Sequence, residues 1–174
     1  GLPDGNTYKI QGGNGEKRNQ AVGQSEDAAD WNTFRGSAQN AGTAQAWWES
    51  NLHLESYFGF RSINRVCSNV DLRENTNYAM YHDPSGRWRV IPQDMDMMIF
   101  PVTHWAGIVY MRNALLHAEI DIAFRNHARS LLDLLISDRS STGGQVAQVL
   151  DEYARIVNPA GQARTMSDMD QFMW

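Results

Sequence analysis

The chain has 174 residues, 42% hydrophobic and 20% charged, with a net charge of −5. That is long enough to bury one core and has the composition of an ordinary globular domain. The 15 basic residues are scattered, which excludes the electrostatic footprint of a nucleic-acid-binding protein. No apolar run approaches the ~18 residues that cross a bilayer.

Cys67 is the single cysteine, so an internal disulfide is excluded and a buried free thiol is expected. Gly1 stands where a methionine would, and the chain stops after the apolar Phe172-Met173-Trp174. Both ends read as cut, the mark of an internal piece of a longer protein, so the absence of a targeting signal carries no weight.

Residues 1–43 are rich in Gly, Asn and Gln and read as a loop-rich lead-in, with one short strand around Leu2, Tyr8 and Ile10. Gly12-Gly13-Asn14-Gly15-Glu16-Lys17 lacks the closing G-K-[ST] of a phosphate loop and reads as a solvated turn. Asp30-Trp31-Asn32-Thr33-Phe34 predicts a short helical turn. Thr43 is placed to cap a longer helix over Ala44–Tyr57, with Ala46, Trp47, Leu52, Leu54 and Phe58 toward the core. Ile63, Val66 and Cys67 continue the apolar character, making 44–67 a helical region.

A hairpin follows. Tyr78–His82 and Arg87–Ile91 flank Asp83-Pro84-Ser85-Gly86, where proline presets one turn φ and glycine suits the exit. Trp88 and Val90 alternate with Arg87 and Arg89, the period of a half-buried strand. Beyond Trp105 the pattern is helical to the end. Ile120, Ile122, Ala123, Phe124, Ala128, Leu131, Leu132, Leu134 and Leu135 form an apolar stripe. Gly143-Gly144 breaks it, Val146–Val157 predicts another helix stopped by Pro159, and a last helix begins near Ala160.

The chemistry concentrates in 68–98. Asp71 and an amide, Asn77, precede the first strand of the hairpin, and Asp94 and Asp96 follow the second. Carboxylates and an amide gathered at the ends of a hairpin can hold a hard divalent cation and orient a hydroxyl, which is what phosphoryl transfer requires. The simpler reading of an Asp-x-Asp at a strand end is a solvated or capping pair. An asparagine before a strand also commonly bonds its own backbone. His53, His82, His104, His117 and His127 share no metal spacing, and the methionines at 95, 97 and 98 suit core filling. The second Asp-Met-Asp, at 168–170, has no hairpin before it and reads as helix-surface charge.

N-V-D at 69–71, N-Y-A-M-Y at 77–81 and G-R-W-R-V-I-P-Q-D-M-D at 86–96 resemble the signature of the spore-coat protein H (CotH) kinase family, N-W-D, N-Y-x-x-Y and G-x-W-x-x-I-P-W-D-x-D. The resemblance extends more weakly over nearly the whole chain. It implies an α+β, atypical protein-kinase-like fold, here mainly the helix-rich C-lobe with a small β-hairpin and the N-lobe largely missing. It also implies transfer of the ATP γ-phosphoryl group to serine in secreted or surface proteins, with Mg²⁺ or Mn²⁺, and an extracellular or cell-surface location. By position, Asp71 corresponds to the acid that orients the substrate hydroxyl. Asn77 corresponds to the amide that helps bind metal and nucleotide, Asp94 to the principal metal carboxylate, and Asp96 to a second ligand or support.

Three departures stand out. Gln93 replaces the tryptophan before the first acid of the pair, and Val70 the aromatic of N-W-D. The step from Asp71 to Asn77 is six residues, one longer than the family pattern, which leaves Asn75 as an alternative amide. The lobe that supplies the nucleotide-gripping lysine is absent, which predicts a poorly active fragment that associates with the rest of a larger polypeptide or complex. The competing expectation is a degenerate extracellular module for attachment or assembly, its acids holding a structural ion such as Ca²⁺.

Overall fold

The structure is a computed structural model, and it describes residues 4–12, 14–19, 27–66, 69, 76–93 and 110–135. The chain divides into two compact units, Gly1–His127 and Ala128–Trp174. In the first, a four-stranded antiparallel sheet comprises β1 (Asn6–Gln11), β2 (Asn14–Asn19), β3 (Thr76–His82) and β4 (Trp88–Pro92), in the order β2-β1-β3-β4. Its helices are α1 (Ala29–Gln39), α2 (Gln45–Asn51), α3 (Leu54–Val66), a 3-10 helix at Tyr110–Leu116, and α4 (Ala118–Leu135), which runs on into the second unit. The mixed architecture is compatible with α+β.

Alternation builds the buried sheet face. Tyr8 pairs with Met80, and Met80 with Val90; Ile10 pairs with Tyr78. Together with Trp88 these side chains are buried, and they pack in one core with Trp31, Phe34 and Ala38 of α1, Trp48 of α2, and Tyr57, Phe58 and Phe60 of α3. Met111, Ala114 and Ile120 complete it. Trp88 is the hub: its ring lies 5.6 Å from Tyr8, 5.7 Å from Trp31 and 5.1 Å from Phe34, distances at which aromatic pairs attract beyond simple burial.

Several expectations are corrected. The small hairpin is half of a four-stranded sheet, because the lead-in holds two strands. The polar stretch read as a solvated turn at 12–17 enters β2, an exposed edge strand whose Glu16, Lys17 and Arg18 give no hydrophobic alternation to read. The helical turn at Asp30 is the first turn of an 11-residue helix, begun where Asp27 Oδ1 accepts from the Ala29 amide at 3.0 Å. The helix expected over Ala44–Tyr57 is two helices. Leu52 is extended and bridges Trp88, and the His53 amide donates to the Trp88 carbonyl at 2.8 Å, so β4 takes backbone bonds that a continuous helix would use.

Thr43 does not cap α2. Its hydroxyl donates to the Ser37 carbonyl at the end of α1, and Ala44 takes the cap position without a side-chain bond. Trp48, not Ala46, is the fully buried residue of α2. On α4 the covered stripe is narrower than expected, with Ile122, Leu132 and Leu134 exposed. In the second unit the described part of α4 carries an Arg129–Asp133 ion pair at 3.0 Å. Leu2, Cys67, His104, and the helices and charges expected beyond residue 135 lie outside the described residues.

Candidate functional site

One irregularity marks the end of the sheet where Asn77 stands. β1 pairs Ile10 with Tyr78 but Gln11 with Thr76, so the ladder passes over Asn77. Asn77 has φ 66°, the one positive φ outside glycine among the described residues. Asparagine reaches this left-handed region more readily than most residues because its short polar side chain can bond locally. A bulge of this kind bends its strand and re-aims a side chain, and bulges concentrate beside active sites.

Pairing between β3 and β4 ends at Tyr78 opposite Pro92, a residue with no N–H to continue a ladder. The turn between β1 and β2, with Gly12 at φ 58°, lies at this same end, because Gln11 pairs with both Asn14 and Thr76. Strand register therefore brings together Gly12, Asn77, Pro92 and the half-buried Gln93. Sequence reasoning set the Gly12 turn aside; only the order β2-β1-β3-β4 draws it to the end where Asn77 stands.

Of the residues singled out by sequence, Asn77 is thus placed, while Asp71, Asn75, Asp94, Asp96 and Val70 lie outside the described residues. Among the described residues no group of three or more His, Cys, Asp or Glu could hold a metal ion. The four described histidines make structural contacts. His53 Nδ1 meets the Ser56 amide in the first turn of α3, and His117 Nε2 meets the Thr43 carbonyl at 3.0 Å. His127 packs on Phe58, and His82 stacks on Trp88.

Two buried amides stand just ahead of Asp71 in the chain, with a role that sequence reasoning did not assign. Asn64, in the last turn of α3, and Asn69 are both fully buried. Asn64 Nδ2 donates back to the Phe60 carbonyl at 2.8 Å. Asn69 Nδ2 donates to Asn64 Oδ1 at 2.8 Å, and the Asn69 backbone N–H donates to the Asn64 carbonyl at 3.0 Å. The available signal was an asparagine at helical spacing from Tyr57 and Phe60, where a core side chain belongs.

A second polar cluster joins α1 to the sheet. The Asp30 carboxylate accepts from the Tyr8 hydroxyl at 2.5 Å, the Trp31 amide at 2.8 Å and Asn6 Nδ2 at 3.3 Å, and lies 2.8 Å from His82 Nδ1. Burial pushes the Asp30 carboxyl up, but the bonds from Tyr8, His82, Trp31 and Asn6 outweigh it and hold it below the ordinary value. Burial, then the bond to Asp30, pushes the Tyr8 hydroxyl far above its ordinary value. In the hairpin turn, burial raises and bonds from Ser85, Arg87 and Arg89 lower the Asp83 carboxyl, for a net decrease.

A family model described as CotH kinase protein matches residues 3–133. The chain belongs to the CotH kinase family. The match runs from ahead of β1 into α4 and takes in every motif that suggested the resemblance. No curated protein matches the chain. Membership gives this CotH chain a kinase-like function. No described helix of it is long and apolar enough to cross a membrane.

Proposed function

We propose that this CotH-family chain carries the phosphoryl-transfer end of an atypical protein kinase that moves the γ-phosphoryl group of ATP to serine in secreted or surface proteins. The observation that carries the reading is Asn77: the residue matching the family's metal-binding amide is the one the β1–β3 ladder passes over, at φ 66°. β4, which ends at Pro92, leads in sequence directly into Gln93-Asp94-Met95-Asp96.

In this reading Asn77 and Asp94 would hold Mg²⁺ or Mn²⁺ together with the nucleotide, and Asp96 would be a second ligand or support. The donor set fits a hard cation, since carboxylate and amide oxygens suit Mg²⁺, and the amide of the set stands at the bulge in β3. A bound ion would neutralise charge on the β- and γ-phosphates. Asp71 accepts the proton of the serine hydroxyl as its oxygen attacks the γ-phosphorus, and the bond from that phosphorus to the departing ADP oxygen breaks. Positioning and electrostatics supply most of the rate enhancement in such a reaction.

The altered residues favour a second reading. Gln93 and Val70 replace aromatic groups beside both acids, which suits a degenerate surface module whose acids hold a structural ion such as Ca²⁺. The deciding experiment is transfer of labelled γ-phosphate from ATP by the full-length protein with Mg²⁺. Transfer that disappears in Asp94→Ala supports the kinase. No transfer to any serine-containing protein, with Ca²⁺ binding intact, supports the module.

A further inference from the structure

We propose that Asn69, gripped by Asn64, is a positioning residue for Asp71; the inference rests on the reading of Asp71 as the carboxylate that receives the serine proton. Asn69 is held twice by the same partner. Its backbone N–H closes a six-residue bond onto the Asn64 carbonyl, the kind that finishes a helix C-terminus, and its side chain donates to the Asn64 amide oxygen. Asn64 is fixed in turn, because its own Nδ2 is committed to the Phe60 carbonyl. That commitment settles which way the Asn64 amide faces: its oxygen, not its nitrogen, is presented to Asn69.

Both residues are fully excluded from solvent. Buried polar groups without partners are costly, so the bonds between the two amides are strongly favoured. The chain leaving α3 is thereby stopped at one point, and Asp71 follows two residues later. Two residues of chain span at most about 7 Å, so Asp71 follows the Asn69 anchor with little intervening chain. An apolar pair would fill the same core volume without specifying a direction. A misplacement of about 1 Å at a reacting group costs about a hundredfold in rate, and a locked lead-in of this kind guards against it.

The test uses the full-length protein and measures kcat, the KM for ATP and the unfolding midpoint for Asn69→Ala, Asp71→Asn and the two combined. Asn69→Ala is expected to lower kcat about a hundredfold with the KM for ATP unchanged. Added to Asp71→Asn, it is expected to leave the residual rate where Asp71→Asn alone puts it, because the group it positions is already disabled. Equal fold-losses with and without Asp71 mark a purely structural role and overturn the inference while Asp71 remains catalytic. So does full activity of Asn69→Ala. Full activity of Asp71→Asn overturns the reading of Asp71 and the inference together. Should Asn69→Ala fail to fold, the paired variant Asn64→Leu/Asn69→Leu takes its place, since exchanging both amides for apolar groups of similar shape is close to neutral for stability. The same loss in kcat from that folded variant is expected, and unchanged kcat overturns the inference.

Discussion

The Tyr8 hydroxyl donates to Asp30 Oδ1 at 2.5 Å, tying the first strand of the sheet to the first turn of α1. The same carboxylate meets His82 of β3, whose ring lies flat on Trp88 at 4.3 Å and 2°. One acid thus joins a helix to two neighbouring strands at the edge of the aromatic core.

That arrangement makes stability depend on pH at both extremes. Asp30 titrates lower in the fold than the 3.8 of a free aspartate, so its contribution is complete above about pH 4 to 5 and is lost as pH falls through the lower folded value. Tyr8 titrates above the free value of 10.0, so its contribution is complete below about pH 10 and is lost at higher pH. Asp30→Asn is expected to cost about 1–3 kcal/mol at pH 7 and to flatten the acid limb. Tyr8→Phe is expected to cost about 1–2 kcal/mol and to remove the alkaline one. Urea unfolding from pH 3 to 11 measures both, and an unchanged acid limb in Asp30→Asn would remove Asp30 from the account.

Glycines offer a matched pair of tests. A Cβ at Gly15 would stand 2.5 Å from the Trp31 ring, which is fully buried, so Gly15→Ala is expected to lose about 1–3 kcal/mol. Gly36 lies on the exposed side of α1 with nothing near a new Cβ, so Gly36→Ala is expected to gain about 0.5–1 kcal/mol from helix propensity. Unfolding midpoints that move in opposite directions are the expected result.

How much of this was legible in sequence follows from what each residue has to pattern against. The hairpin of β3 and β4 could be read, because Trp88 and Val90 alternate with arginines around a proline-glycine turn. β2 could not: its edge position leaves nothing apolar to alternate. The break between α2 and α3 was hidden too, since the bond from His53 to Trp88 is a backbone contact between residues far apart in sequence. At the candidate site, the motif named Asn77, but the bulge that sets it apart comes from its pairing with β1. Asn69 was visible as a motif letter and unreadable as an anchor, because its partner Asn64 belongs to no motif.

Asn77 can be separated into its backbone and its amide. Asn77→Gly keeps the left-handed conformation at little steric cost, and is expected to retain stability within about 1 kcal/mol while weakening Mg²⁺-dependent ATP binding. Asn77→Ala is expected to lose the same binding and about 1–2 kcal/mol of stability as well, from forcing an ordinary side chain to φ 66°. Full nucleotide affinity in Asn77→Gly would leave Asn75 as the working amide.

The aromatic hub sets the largest expected loss. Trp88→Ala removes a side chain in ring contact with Tyr8, Trp31, Phe34 and His82, and is expected to cost about 3–5 kcal/mol. Near-wild-type melting of that variant would contradict the packing described.

The most direct measurement is calorimetric binding of ATP to the full-length protein, with and without Mg²⁺, for the wild type and Asp94→Ala. The account predicts binding that depends on Mg²⁺ in the wild type and is lost in Asp94→Ala. Equal affinity in the two proteins, or binding indifferent to the ion, would contradict a metal–nucleotide site at this end of the sheet.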